Sequence, residues 1–174
     1  SHALTLLNED LTMDQKLAGK IALVTGASSG QGAAEATLFA QTGARVILSD
    51  IADDAGEAQA ASIRDSGGDA HYRHLDVANE DEWRALIENI RTESAGLNIL
   101  VNNAGIIHRA PLADFAEEKW RNVLDVNLTA PFLLAQLVAP GMVRRGWGRI
   151  INISSILGQF GRATVPAYVS SKHG

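Results

Sequence analysis

The chain has 174 residues, of which 46% are hydrophobic and 20% charged, and it contains no cysteine. This composition is typical of one globular domain, and the lack of cysteine excludes disulfide scaffolds, cysteine zinc sites and cysteine nucleophiles. The formal net charge of −5 argues against a nucleic acid or an anionic membrane as partner, because both require a basic face. No membrane span is expected, since Gln136, Pro140 and Gly141 interrupt the longest apolar run. The acidic N-terminal segment is unlike a secretory signal, so we expect a cytoplasmic protein.

Short apolar runs rich in β-branched residues alternate with longer amphipathic stretches along the chain. The runs predict five buried strands, at 21–25, 45–49, 70–75, 99–102 and 149–154. The third run is the least hydrophobic, which places it at an edge of the sheet. Helices are predicted over 31–41, over 53–66, from Asn79, over 117–145 with bends near Pro131 and Pro140, and from about Tyr168. This alternation predicts an α/β fold in which helices cover both faces of a doubly wound parallel sheet, in three α/β/α layers.

We assign residues 19–174 to one nucleotide-binding domain and residues 1–18 to an N-terminal extension. The extension begins with Ser1-His2, which is typical of the remnant of an affinity tag. The last predicted helix has room for only a turn or two before Gly174, too little to cover a sheet. We therefore expect the sequence to represent a domain truncated after its fifth strand.

A glycine-rich turn follows the first predicted strand and opens the first predicted helix. It reads TGASSGQG over 25–32, so Ser28, Ser29 and Gln31 are interspersed with Gly26, Gly30 and Gly32. Glycines at this point allow a tight turn and let a pyrophosphate approach the backbone amides of a helix N-terminus. The spacing differs from the G-x-G-x-x-G fingerprint and lacks the lysine of a Walker loop. The position of the turn still predicts a dinucleotide site.

Asp50 ends the second predicted strand, at the sheet edge where open α/β folds bind ligands. A carboxylate there accepts hydrogen bonds from the adenosine ribose and repels a 2′-phosphate. No arginine or lysine that would bind such a phosphate lies in the glycine turn or directly after Asp50. We therefore expect NAD as the cofactor in preference to NADP.

Tyr168 and Lys172 are four residues apart and share one face of the last predicted helix. An ammonium near a phenol favours the phenolate, which gives a general acid or base that works near neutral pH. Ser154 and Ser155 end the fifth predicted strand, where a serine hydroxyl can bind the oxygen of a carbonyl substrate. The three residue types together indicate carbonyl or alcohol chemistry.

The remaining polar residues give weaker signals. Asn127 lies within a predicted helix, where asparagine is disfavoured, and Asn102 to Gly105 close the fourth predicted strand. His71 and His74 are three apart on a predicted strand and therefore face opposite sides of it. No metal site is expected.

These residues occur together, and in this order, in a known family. The chain resembles the short-chain dehydrogenase/reductase family through Thr25-Gly26-x-x-x-Gly30-x-Gly32, Asp76-Val77, Asn102-Asn103-Ala104-Gly105, Asn127, Ser155 and Tyr168-x-x-x-Lys172. The resemblance extends from about residue 20 to the last residue. It implies a Rossmann-type fold and hydride transfer between a nicotinamide and a secondary alcohol or ketone.

The resemblance also implies a role for each matching position. Tyr168 would be the catalytic acid/base, with Lys172 supporting it and holding the nicotinamide ribose. Ser155 rather than Ser154 would orient the carbonyl, and Asn127 would hold a water in a proton relay. The cofactor would contact Gly26, Ser28, Ser29, Gly30, Gln31 and Gly32 of the turn, Asp50 at the ribose, Asp76 and Val77 at the adenine, and Asn103, Ala104 and Gly105 beside the adenosine. Gln31 replaces an apolar residue usual in the family, which we expect to be tolerated because the backbone amide does the binding.

The sequence says less about the substrate. The stretches 105–109 and 165–168 are most similar to the gluconate and deoxygluconate dehydrogenases, in which His108 and Arg109 would face an anionic substrate. Two alternatives stay open. The first is a 3-oxoacyl carrier-protein reductase, although these enzymes usually prefer NADP and Asp50 argues against that cofactor. The second is a nucleotide-binding fragment without catalysis. A homo-oligomer, either a dimer or a tetramer, is expected from the resemblance and from the large apolar surface of residues 130–143.

Overall fold

A computed structural model describes residues 15–174, so most of the predicted N-terminal extension lies outside the described residues. Five strands form one parallel sheet in the order β3-β2-β1-β4-β5. Their bounds are β1 Ile21–Thr25, β2 Arg45–Asp50, β3 Asp69–His74, β4 Ile99–Asn102 and β5 Arg149–Asn152. The expected parallel sheet is confirmed, and the weakly hydrophobic third strand is at an edge. All five strands were predicted to within two residues at each end.

Helices connect the strands. They are α1 Gly30–Gln41, α2 Asp53–Asp65, α3 Glu80–Glu93, α4 Glu117–Leu124, α5 Ala130–Arg144 and α6 Pro166–His173. The predicted start of α3 is confirmed, since Asn79 caps it by accepting a hydrogen bond from the Asp81 amide at 3.2 Å. Short 3-10 turns at Leu112–Asp114 and Ile156–Gly158 were not predicted.

Two buried clusters lie on opposite faces of the sheet, and β1 contributes to both. Ala22 and Val24 pack with residues of α1 and α2, whereas Leu23 packs with residues of α3 and α5. Successive side chains of a strand point to opposite faces, so one central strand serves both layers. The predicted three-layer Rossmann-type arrangement is confirmed.

The segment predicted as one bent helix over 117–145 is more complex. A π-helical stretch, Asp125–Thr129, joins α4 to α5 immediately before Pro131, and Pro140 lies inside α5 without ending it. By length and composition alone, the combined stretch Glu117–Arg144 is long and apolar enough to cross a membrane. Its buried residues, among them Leu134 and Val138, belong to the core beneath the sheet.

The fifth strand is shorter than predicted, because it ends at Asn152 and not at residue 154. Ser154 and Ser155 therefore lie beyond the strand. Ser155 caps the 3-10 turn Ile156–Gly158, and its hydroxyl accepts a hydrogen bond from the Leu157 amide at 3.2 Å. This turn directs the chain away from the sheet and towards α6.

Candidate active site

The glycine turn between β1 and α1 is packed tightly against the end of β4. Gly26 and Gly30 have left-handed φ angles of 66° and 56°, which favour glycine. A Cβ added at Gly26 would lie 2.8 Å from the Ala104 Cα, and one added at Gly32 would overlap the Gly26 carbonyl oxygen and the Asn103 side-chain nitrogen. The path of the backbone thus requires glycine at both Gly26 and Gly32.

Asn103 fixes this turn to the sheet. Its Nδ2 donates hydrogen bonds to the carbonyl oxygens of Thr25 at 2.9 Å and Gly26 at 3.0 Å. The Thr25 hydroxyl in turn accepts from the backbone amides of Asn103 and Ala104, both at 3.1 Å. The sequence placed Asn103 beside the adenosine, and the structure adds that its side chain shapes the glycine turn.

The start of α1 presents unpaired backbone amides. Ser29 precedes the helix without capping it through its side chain, and the first helical bond runs from the Ala33 amide to the Ser29 carbonyl at 3.2 Å. Within residues 15–174 the amides of Gly30, Gln31 and Gly32 have no acceptor. The Gln31 side chain is turned aside and bonds to Glu35 at 2.9 Å. Such a helix N-terminus can bind a phosphate.

A cleft of about 400 Å³ adjoins the glycine turn at the carboxyl ends of the strands. Five separate segments contribute to it, one of them through Val126 alone. Its lining includes Gly26, Ser28, Ser29, Asp50, Ile51, Leu75, Asp76, Val77, Asn103, Ala104, Gly105 and Ile106. The structure thus brings together the residues that the sequence assigned to the adenosine half of a dinucleotide, and we call this space the adenosine cleft.

The Asp50 carboxylate is held by four hydrogen bonds. Oδ2 accepts from the backbone amide and hydroxyl of Ser28 at 3.1 and 2.7 Å, and Oδ1 accepts from the amides of Ile51 and Ala52 at 2.8 and 3.1 Å. These bonds fix the carboxylate between the glycine turn and the start of the loop after β2. A negative group therefore occupies a fixed place on the lining of the adenosine cleft.

A second cleft, of about 380 Å³, contains Ser155 and Tyr168. We call it the tyrosine cleft; its other lining residues are Gly105, Ile106, Ile107, Ile156, Leu157 and Arg162. Gly105 and Ile106 line both clefts, so the two are adjacent. Ser154 lines a different cavity, which agrees with the choice of Ser155 as the serine beside the tyrosine.

Lys172 lies beside the tyrosine cleft and is not among the residues that line it. Its Nζ donates a hydrogen bond to the Ile153 carbonyl at 2.7 Å and lies 5.8 Å from the centre of the Tyr168 ring. Burial lowers the pKa of the Lys172 ammonium below its ordinary value. The side chain thus joins α6 to the segment after β5 and places a cation near the phenol.

Asn127 holds the segment that separates the two clefts in place by hydrogen bonds. Its Oδ1 accepts from the Ile106 amide at 2.8 Å, and its Nδ2 donates to the Ile106 carbonyl at 2.9 Å and to the Ser171 hydroxyl at 3.1 Å. These bonds explain why a disfavoured residue lies within a helical stretch, and that stretch is π-helical, a form often found at functional sites. The expected water relay through Asn127 stays a prediction.

The cation on the tyrosine cleft is Arg162, which the sequence reasoning did not select. His108 packs edge-on against Phe115 with 5.3 Å between the ring centres, and neither His108 nor Arg109 lines the cleft. Arg162 lies in the loop between Ser155 and Tyr168. This position between two expected site residues is the signal in the sequence that could have indicated a role for Arg162.

The two histidines of β3 have separate partners. The His71 Nε2 is 2.9 Å from Asp69, and the His74 Nδ1 is 2.7 Å from Asp53. In the described part of the chain, no three side chains of the types that bind metals are grouped together.

Comparison with known proteins agrees with the fold. A family model described as short chain dehydrogenase matches residues 20–174. The chain belongs to the short-chain dehydrogenase/reductase family. Over 160 residues it is 41% identical to the 3-alpha-(or 20-beta)-hydroxysteroid dehydrogenase of Mycobacterium tuberculosis, a match that covers 92% of this chain and 60% of the relative.

Two solved structures of this family are similar to the chain throughout. A putative NAD(P) dependent gluconate 5-dehydrogenase from Beutenbergia cavernae, with bound NADP, has a TM-score of 0.85 at 40% identity, covering 91% of this chain and 63% of that one. A gluconate 5-dehydrogenase from Burkholderia cenocepacia, in complex with NADP and tartrate, has a TM-score of 0.84 at 36% identity, covering 93% and 64%. The chain therefore spans less than two thirds of the length of these family members.

Proposed function

We propose that the protein is an NAD-dependent oxidoreductase that transfers a hydride between a nicotinamide and a secondary alcohol or ketone. The observation that carries this proposal is the arrangement of the two clefts. Ser155 and Tyr168 line one cleft, and it shares Gly105 and Ile106 with the cleft beside the glycine turn. A substrate beside Tyr168 is therefore next to a dinucleotide bound along the strand ends.

The residues present fit such a dinucleotide. The unpaired amides from Gly30 to Gly32 suit its pyrophosphate, and Asp50 suits the hydroxyls of its adenosine ribose. Side chains at Gly26 or Gly32 would displace the turn that forms this site. When bound, the nicotinamide supplies or accepts the hydride.

The protein's own side chains supply proton transfer and orientation. Tyr168 would donate a proton to the carbonyl oxygen in the reducing direction and accept one from the hydroxyl in the oxidising direction. Ser155 would hold the same oxygen by a hydrogen bond. Lys172 contributes a nearby cation, whose Nζ lies 5.8 Å from the centre of the Tyr168 ring.

NAD is the proposed cofactor because of the charge of the adenosine cleft. Asp50 and Asp76 line it, and no arginine or lysine is found among its lining residues in the described chain. A 2′-phosphate at this place would meet a carboxylate and no cation. The two solved relatives hold NADP, which makes the choice of cofactor a direct test of this reasoning.

The proposed substrate class is a sugar acid. Among the described residues that line the tyrosine cleft, Arg162 is the charged one, and the others include four aliphatic side chains and Gly105. A guanidinium is suited to a carboxylate, and the two solved relatives are named as gluconate 5-dehydrogenases. The carboxylate would bind at Arg162, and the hydroxyl or carbonyl would lie at Tyr168.

We also propose a homo-oligomer, either a dimer or a tetramer. Helix α5 leaves Phe132 and Val143 exposed, at 63% and 77% of their surface. Exposed apolar surface on a helix is suited to packing against a second copy of the chain. Light scattering of the full-length protein tests this proposal, and a monomer would contradict it. The cytoplasmic location stays a prediction.

The substitution Tyr168→Phe tests the catalytic proposal in the full-length protein. Loss of the phenol should lower the turnover of a secondary alcohol by at least about 100-fold, while the Kd for NADH stays within a few-fold of the wild-type value. Ser170→Ala is the matched control, since Ser170 is exposed on the same helix. Turnover that survives Tyr168→Phe would refute the proposed acid/base. A wild-type protein that binds NADH but turns over no alcohol or ketone would favour a nucleotide-binding role alone.

A further inference from the structure

His74 ends the edge strand β3 and pairs in register with Asp50 of β2. Its two ring nitrogens face carboxylates from two different helices. Nδ1 is 2.7 Å from Asp53 Oδ1 at the start of α2, and Nε2 is 3.7 Å from Glu82 Oε2 in the first turn of α3. The imidazole thus lies between two elements that are far apart in the sequence.

The first carboxylate belongs to one wall of the adenosine cleft. Asp53 closes the short turn that carries Asp50 and Ile51 into the cleft. The Tyr72 hydroxyl lies 2.6 Å from the Asp50 carbonyl oxygen and 2.8 Å from Asp53 Oδ1. The Tyr72 ring is packed against Gly56 of α2, where an added Cβ would overlap it. This wall is therefore fixed through Asp53 and Tyr72.

The second carboxylate supports a second wall of the cleft. Glu82 Oε2 accepts a hydrogen bond from the Asp76 amide at 2.7 Å, and Glu82 Oε1 accepts one from the Asn79 side chain at 2.7 Å. Leu75, Asp76 and Val77 line the adenosine cleft on this side. Glu82 therefore holds the segment that the sequence assigned to the adenine.

We propose that protonated His74 is a positioning residue that joins the two walls of the adenosine cleft and so sets the affinity for the dinucleotide. His74 is not among the residues that line the cleft, and it acts through Asp53 and Glu82. The proposal rests on the proposed dinucleotide function. It adds that the protonation of the His74 side chain controls the affinity for the dinucleotide.

The charges around His74 determine the direction of the effect. Asp53 of α2, Glu82 of α3 and Asp76 after β3 face it, and all three are acidic. The hydrogen bond to Asp53 is the largest of the effects that raise the pKa of His74 above its ordinary value of 6.5, against a smaller opposing effect of burial. The cation therefore persists above pH 6.5 and is lost as the pH rises through this raised pKa. Affinity should fall over the same interval, and by reciprocity the bound dinucleotide should raise the pKa of His74 further.

The test is calorimetric titration of the full-length protein with ADP-ribose between about pH 6 and about pH 9. ADP-ribose keeps the adenosine and the pyrophosphate and lacks the nicotinamide, which keeps the measurement away from Tyr168. The wild type is compared with His74→Gln, which removes the charge, and with His74→Lys, which keeps a cation at high pH. His71→Gln is the matched control, because His71 lies on the same strand and pairs with Asp69 instead.

The wild-type Kd should rise about two- to fivefold across this range, as expected when solvent-exposed ion pairs are lost. The His74→Gln variant should bind with the weaker, high-pH affinity throughout, His74→Lys should keep the tighter affinity at high pH, and His71→Gln should follow the wild type. A His74→Gln variant with the wild-type pH profile would overturn the role of His74 alone. Failure of the wild type to bind ADP-ribose at any pH would instead refute the proposed dinucleotide site.

Discussion

The substitution Gly32→Ala tests whether the glycine turn is set by packing within the protein, independently of a bound cofactor. The added Cβ would overlap the Gly26 carbonyl oxygen and the Asn103 Nδ2. Relieving that overlap requires moving Asn103, whose two hydrogen bonds to Thr25 and Gly26 measure 2.9 and 3.0 Å. The substitution therefore combines overpacking with the loss of partly buried hydrogen bonds.

Overpacking costs about 1–3 kcal/mol and each lost hydrogen bond about 0.5–1.5 kcal/mol, while alanine in a helix regains about 1 kcal/mol relative to glycine. We expect Gly32→Ala to lower the free energy of unfolding by about 1–5 kcal/mol, or the Tm by about 2–20 °C for a domain of this size. Urea denaturation without cofactor, followed by tryptophan fluorescence, to which the buried Trp83 contributes, measures this change.

Gly30→Ala is the matched control, because Gly30 has a left-handed φ of 56° but no atom within 4 Å of an added Cβ. Only the backbone strain remains there, so we expect a loss of about 1–2 kcal/mol. A Gly32→Ala protein as stable as the wild type, or less affected than Gly30→Ala, would refute the packing argument.

Two further predictions concern selectivity. Asp50→Ser removes the carboxylate from the adenosine cleft, so the ratio of kcat/KM for NADP to kcat/KM for NAD should rise at least about tenfold. Steady-state kinetics with both cofactors measure this ratio, and an unchanged ratio would contradict the role of Asp50. Arg162→Ala should raise the KM for a sugar acid about tenfold or more and leave a neutral alcohol such as cyclopentanol nearly unaffected. Arg109→Ala, which changes a cation outside the tyrosine cleft, should affect neither substrate; a larger effect at Arg109 would restore the assignment made from the sequence.

The sequence predicted the parts of the fold that follow from local patterns. Apolar β-branched runs marked the strands, and the glycine turn marked the position of the proposed cofactor site, because both signals lie within a few neighbouring residues. The π-helical stretch was missed since it accompanies bonds between Asn127 and Ile106, which are 21 residues apart. A helical pattern read from neighbouring residues contains no information about such a partner.

Arg162 and His74 were missed for a related reason. The direction of the Arg162 side chain depends on the path of the backbone between Ser155 and Tyr168. An irregular segment has no repeating pattern of side-chain directions, so this direction cannot be predicted from the sequence. In the sequence, His74 stood out only through its spacing from His71, which carries no information about carboxylates on other elements. Its acidic partners Asp53 and Glu82 meet it only once the sheet has formed.

The segment Gly105–Ile106 forms a common boundary between the two clefts, and Asn127 binds it on both the amide and the carbonyl side of Ile106. Through Ser171, the same asparagine is connected to the helix that carries Tyr168. A change that reshapes this boundary for a new substrate would therefore also move the lining of the adenosine cleft. Mutations at this boundary that change the range of substrates are therefore expected to change the affinity for the cofactor as well. Mutations in the 159–164 loop are expected to change the range of substrates without changing the affinity for the cofactor.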